Sequence, residues 1–219
     1  MAVSGAHARL LGGLQAEIES IYRIEPQASV ADFVIDRARW EALSGSGAPE
    51  ELVVVQDGDE LELGLFLEDQ VYAELGHPGA WTHRRLSAHC QAVEGVSHFL
   101  YLSHRARQPR PVSQLELELQ AEIDKFATVL LHLWETGRRT AAAALRRLLF
   151  EEVSYREGLS PEARERYRKA NGLASLYCRF LEAKYVVENS IEGFLADLRR
   201  MYRLGAGDKL SYAACGTAL

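Results

Sequence analysis

ELVVVQDGDELELGLFLE, residues 51–68, carries the plainest structural signal in the chain. A β-branched run at 52–55 meets Asp57-Gly58, after which Leu61, Leu63 and Leu65 alternate with Glu60, Glu62 and Gly64. Asp-Gly suits a tight turn because its central positions need positive φ, which glycine supplies without steric cost. The stretch therefore reads as a β-hairpin. The alternation predicts a second strand covered on one face and wet on the other.

Working upstream, Leu10, Leu11, Leu14, Ile18, Ile21 and Tyr22 recur at three-to-four spacing and predict a helix over 6–22, closed by Pro26. Residues 31–36 (ADFVID) read as a short strand, 37–43 as one or two helical turns, and 45–49 (GSGAP) as a loop. Downstream, 68–76 and 83–93 read as helices. The segment VEGVSHFLYLS, 93–103, is rich in Val, Phe and Tyr and reads as a further strand. RARQPRP, 105–111, is a basic connector whose Pro109 and Pro111 mark a break.

Beyond that connector the pattern is helical throughout. Ser113 with Glu116 makes a capping box, and Leu115, Leu119, Ile123, Phe126, Leu130 and Leu133 hold one stripe as far as Gly137. A second helix is expected over about 139–155. Ser160-Pro161-Glu162 starts a third, with an N-cap, a proline at the first position and an acidic first turn. A fourth covers about 190–203, and Gly205 and Gly207 end it. The expected fold class is α+β: a small antiparallel sheet of three to four strands with a β-hairpin, packed against a C-terminal helical bundle. The expected division is an α+β part over 1–108, the bundle over 109–204 and a mobile tail over 205–219.

The chain has 219 residues, 25 basic and 31 acidic, with a net charge of -6. An acidic protein repels a phosphate backbone, which disfavours nucleic acid as a partner. The charge is uneven. Residues 1–111 hold 9 basic and 16 acidic side chains, whereas 138–203 hold 14 basic and 9 acidic. Cys90, Cys178 and Cys215 are far apart and form no C-x-x-C pair, which speaks against a thiol zinc site and fits reduced thiols. No apolar window has the length of a membrane span, and no leader is read at the N-terminus. The expected location is cytoplasmic, and the excess of Arg over Lys suggests a GC-rich bacterial source.

Few residues point to chemistry. His77, His83 and His89 are spaced by six, as are His98 and His104. Ligation of one ion from a helix wants i,i+3 or i,i+4, and from a strand i,i+2. No metal or cofactor is expected. His132 and Glu135 read as a local pair at a helix end. Glu118 and Glu122 are one turn apart on the long helix, where Glu122 can pair with Lys125; with His98 they are the candidate acid/base groups. Arg138, Arg139, Arg146 and Arg147, then Arg164, Arg166, Arg168 and Lys169, form two basic clusters. They suit either an anionic ligand or neutralisation of the acidic front half. Asn171 interrupts an apolar stripe and needs a hydrogen-bond partner. The G-x-S-x-G, P-loop, Rossmann and H-E-x-x-H patterns are absent, which removes the common hydrolase, ATPase, dehydrogenase and metalloprotease readings.

The function expected from these features is that of an interaction, adaptor or assembly protein without catalysis of its own. It would offer the hairpin edge or a helical face to a protein partner or to a second copy. The alternative is a small-molecule-binding protein or enzyme, with a carboxylate- and arginine-lined pocket between sheet and bundle.

Overall fold

Side-chain caps start helices where the sequence supplies them. Asp36 accepts from the Arg39 amide at 2.9 Å, Thr82 from Arg85 at 3.1 Å, Ser113 from Glu116 at 3.2 Å and Ser160 from Ala163 at 3.1 Å. The Arg39 amide also lowers the pKa of Asp36, since it stabilises the carboxylate form. The computed structural model describes residues 4–44, 46–57, 60–77, 81–106 and 111–215. Among them the architecture is α+β, with one two-stranded antiparallel sheet and nine α-helices. The chain divides into two compact units, Met1–Glu19 with Ile24–Pro109, and Ser20–Arg23 with Arg110–Leu219.

The first unit contains α1 (Gly5–Tyr22) as far as Glu19, α2 (Arg37–Leu43), β1 (Glu50–Asp57), β2 (Glu60–Leu67), α3 (Asp69–Gly76) and α4 (His83–Arg105). Gln15 ties the segment after α1 back onto that helix. Its Oε1 accepts from the Val30 amide at 2.8 Å and its Nε2 donates to the Ala28 carbonyl at 3.1 Å. The strands pair from Glu50↔Leu67 to Asp57↔Glu60. Paired residues share a face, so Leu52, Val54, Leu63, Leu65 and Leu67 lie on one side, and Val53, Val55, Gly64 and Phe66 on the other. α4 covers the first side, where Gly95 comes so close that an added Cβ would sit 2.6 Å from Leu65 Cδ1. On the second side Trp40 stacks on Phe66 with centroids 4.3 Å apart, and Ile35 lies against Gly64.

The second unit is helical throughout its described part: the last turn of α1, then α5 (Gln114–Glu135), α6 (Ala142–Phe150), α7 (Pro161–Leu181), α8 (Ile191–Arg203) and α9 (Ala206–Cys215). A π-helical stretch, Glu182–Val186, continues α7. Leu119, Ile123, Phe126 and Leu130 of α5 are buried, as are Ala170, Ala174, Tyr177, Cys178 and Leu181 of α7 and Phe194, Leu198 and Met201 of α8. These positions repeat at three-to-four spacing, so each helix turns one apolar stripe inward.

Several expectations need correction. Residues 93–103 are not a strand but the second half of α4. Residues 31–36 contribute a 3-10 turn, Val30–Phe33, and a single parallel bridge from Val34 to Leu65. The sheet thus has two described strands rather than three to four. The second face of β2 is wet at Glu62 but occupied at Gly64 and Phe66. The helix after Gly137 stops at Phe150, short of 155. Residues read as the start of a tail form α9, with Lys209 and Ala213 fully buried. Gly58 of the Asp57-Gly58 turn and Pro109 of the connector lie outside the described residues.

Candidate functional site

In an antiparallel ladder, residue pairs alternate between those that exchange hydrogen bonds and those that turn their N–H and C=O outward. The two-residue connection between Asp57 and Glu60 makes that pair a bonded one, and likewise Val55↔Glu62, Val53↔Gly64 and Glu51↔Phe66. Two independent contacts fix this parity. The Glu68 amide donates to the Pro49 carbonyl at 2.9 Å, the next bonded pair, and the outward carbonyl of Leu65 accepts from Ile35 at 2.9 Å. Leu52, Val54 and Gln56 therefore turn their backbone groups away from β2. Among the described residues, β1 has no strand on that side.

This edge has a distinct character. Leu52-Val53-Val54-Val55 is a continuous β-favouring run without Pro, Lys or Arg, the residues that most often blunt an edge. Val54 is 46% exposed, and Leu52, Val53 and Val55 are half-buried. The strand is tied to the segment before it through Glu51. Glu51 accepts from Trp40 Nε1 and from the Ser44 and Ser46 hydroxyls, each at 2.7 Å. Arg39 pairs with Glu62 on β2, and Arg37 with Glu68 directly after that strand. A cleft of about 480 Å³ opens beside the base of the hairpin, and Pro49, Glu68, Glu74 and Arg84 are among the residues that line it.

The residues singled out from sequence are carried by several helices of the two units. Glu118 is buried on α5, with Oε1 3.5 Å from Arg166 Nε. Glu122 is half-buried and pairs with Lys125 at 2.9 Å, the partner expected from their spacing. His98 lies on α4 and so belongs to the other unit. Among the arginines, Arg146 meets Glu182 at 3.2 Å and Glu151 at 2.9 Å, and Arg168 meets Glu165 at 2.6 Å. Arg138, Arg147 and Arg164 are exposed and Arg139 is half-buried; the eight cations span the 3-10 turn before α6, α6 itself and α7. The acids that meet Arg146, Arg166 and Arg168 all come from their own unit. Asn171 Nδ2 approaches the Leu149 carbonyl at 3.5 Å.

Sequence reading missed two buried carboxylates. Asp124 on α5 accepts hydrogen bonds from Tyr22 and from Gln120 Nε2, the latter at 2.8 Å, and Tyr22 stacks on Tyr202 at 4.1 Å. Asp197 on α8 accepts from three phenols, Tyr177 and Tyr185 at 2.8 Å and Tyr212 at 3.1 Å. Burial, and then the adjacent carboxylate, raises the pKa of Tyr22 and of Tyr177 well above the ordinary phenol value. Burial likewise pushes the Cys178 thiol up, away from the reactive thiolate. The phenols and the two carboxylates hydrogen-bond one another, which is how polar side chains hold a helical core in a single arrangement. A carboxylate–imidazole pair also escaped notice: Glu94 and His98 stand one turn apart on α4. They present two donors on one helix face, half of a four-coordinate set.

No known family, curated protein or solved structure matches the chain.

Proposed function

We propose that this chain is an interaction protein that takes up an extended segment of a partner protein as an added strand on β1. The observation that carries the reading is the outward row of backbone groups at Leu52, Val54 and Gln56, next to which the described residues place no strand. Strand addition draws affinity from main-chain hydrogen bonds and specificity from alternate side chains. The continuous apolar run and the packing of the hairpin on both faces support it, because a pre-ordered edge spares the entropy of fixing it on binding.

Two proline substitutions test the proposal. The Val54 amide points outward, so Val54→Pro removes a donor from the free edge and leaves the ladder to β2 intact. The Val53 amide belongs to a bonded pair with Gly64, so Val53→Pro breaks the hairpin itself. Val54→Pro is expected to keep the thermal midpoint within a few degrees of the parent while abolishing capture of the partner from the native host. A Val54→Pro chain that stays folded and still captures the same partner overturns the proposal.

A further inference from the structure

The chain turns out of α1 at Arg23, which takes a positive φ of 48°. Two arginines of α8 are tied to that turn. Arg199 Nε donates to the Ile21 carbonyl at 2.8 Å, and Arg203 Nη2 donates to the carbonyls of Tyr22 at 2.9 Å and Arg23 at 3.3 Å. Arg203 Nη1 also donates to the Arg199 carbonyl at 2.9 Å. All of these residues belong to the second unit. A carbonyl orients a guanidinium without neutralising it. Among the described residues no carboxylate forms an ion pair with Arg23, Arg199 or Arg203. The ends of α1 and α8 supply about half a negative charge each, against one full positive charge on every guanidinium. Burial, then Arg23, then Arg203, lower the pKa of half-buried Arg199, and among the described residues no acid offsets them. Arg199 Nη1 and Nη2 and the exposed head of Arg23 make no hydrogen bond among the described residues.

We propose that Arg23, Arg199 and Arg203 form a binding site for the terminal phosphate group of a phosphate monoester. A guanidinium presents a planar fork of donors that matches phosphate oxygens two at a time. A phosphate monoester carries up to two negative charges and three strong acceptor oxygens, enough for several forks at once. A carboxylate has one charge and two oxygens, and so balances less of the cluster. The backbone anchors on Arg199 and Arg203 fix two of the heads before any ligand arrives, which lowers the entropy lost on binding. The ester can be a soluble molecule or a lipid headgroup, because the chemistry at the three arginines is the same for both. This site shares no residue with the β1 edge, and neither reading depends on the other.

The test uses the full chain in 50 mM NaCl. Calorimetric titration is run with inorganic phosphate, glycerol phosphate and acetate, and flotation with phosphatidylcholine vesicles with and without phosphatidic acid. Three variants accompany the parent. Arg23→Asn removes one charge at a positive φ that Asn adopts more readily than Arg, so its thermal midpoint should stay within a few degrees of the parent. Arg199→Lys keeps the charge and removes the fork. Arg9→Gln removes an exposed charge about four turns earlier on α1 and serves as the control. The parent should bind one phosphate per chain, and acetate about ten-fold more weakly. Arg23→Asn and Arg199→Lys should each weaken phosphate about ten-fold, and Arg9→Gln should leave it unchanged. Binding of glycerol phosphate without the phosphatidic acid vesicles identifies a soluble ester. Binding of those vesicles alone, lost in Arg23→Asn, identifies a lipid headgroup; both results support the site. Absence of binding to every phosphate source overturns the proposal, as does binding that Arg23→Asn leaves intact. Equal weakening by Arg9→Gln would show diffuse attraction to net charge and also overturns it. Acetate bound as tightly as phosphate overturns the assignment to a phosphate group.

Discussion

Single side chains in this protein have measurable signatures. Tyr72 is buried, stacks on His7 with centroids 3.9 Å apart, and its hydroxyl has no hydrogen-bond partner among the described residues. Burial, aided by Asp69, pushes its pKa up to about 12. The folded state therefore keeps the phenol protonated after the unfolded chain has begun to release its proton near the ordinary value of about 10. The stabilisation is fully present below about pH 10 and is lost as pH rises towards 12. Tyr72→Phe keeps the ring and removes both the unpartnered hydroxyl and this titration. At pH 7 the variant should be as stable as the parent or more so, by less than about 1 kcal/mol. In urea titrations at rising pH above 10, its advantage should widen; a constant difference would refute the assignment. Asp197 is the opposite case, a carboxylate with three phenols as donors. Asp197→Asn turns one acceptor into a donor facing hydroxyls, and should cost on the order of 3 kcal/mol in urea unfolding. Tyr212→Phe, which removes one half-buried donor, should cost about 1 kcal/mol.

At the scale of elements, α4 shows where composition misleads. The segment 93–103 holds Val, Phe, Tyr and Leu, the strand-favouring set, and a short window reads it as β. Over a longer window the buried positions are Ala88, Ala92, Val93, Val96, Phe99 and Leu100, which is helical spacing. That misreading also hid Glu94 and His98, which are neighbours one turn apart on a helix face but would lie about 13 Å apart along a strand. The hairpin and the caps at Ser113 and Ser160 were legible because their signals are local: turn chemistry, alternation and a hydroxyl three residues before an amide. The buried carboxylates were not, because Asp124 and Asp197 acquire meaning only from tyrosines up to 102 residues away. Helix and hairpin meet at Gly95. Gly95→Ala adds a methyl 2.6 Å from the buried Leu65 Cδ1, so about 1–3 kcal/mol of overpacking outweighs the roughly 1 kcal/mol gain in helix propensity. The urea midpoint should fall; an increase would mean that α4 can move off the sheet at no cost.

For the molecule as a whole, uneven charge is the governing feature. The ten acids between Trp40 and His83 repel one another, and salt screens that repulsion. In a chain whose sole tryptophan is Trp40 (Trp81→Phe with Trp134→Phe), the urea midpoint should rise between 20 and 200 mM NaCl. A midpoint that falls would show that the pairs of Arg37 with Glu68 and Arg39 with Glu62 outweigh the repulsion. No described helix is long and apolar enough to cross a membrane.

The scarcity of lysine has a practical corollary. The four side-chain amines are at Lys125, Lys169, Lys184 and Lys209, all in the second unit, and only Lys169 and Lys184 are well exposed. Succinimide dyes and amine-reactive sensor chips consequently attach to side chains far along the sequence from the hairpin and leave β1 chemically untouched. Trypsin, for the same reason, finds no cleavage site after Arg39 until Arg84, and releases both strands joined in one peptide ready for mass mapping of whatever has been cross-linked to them.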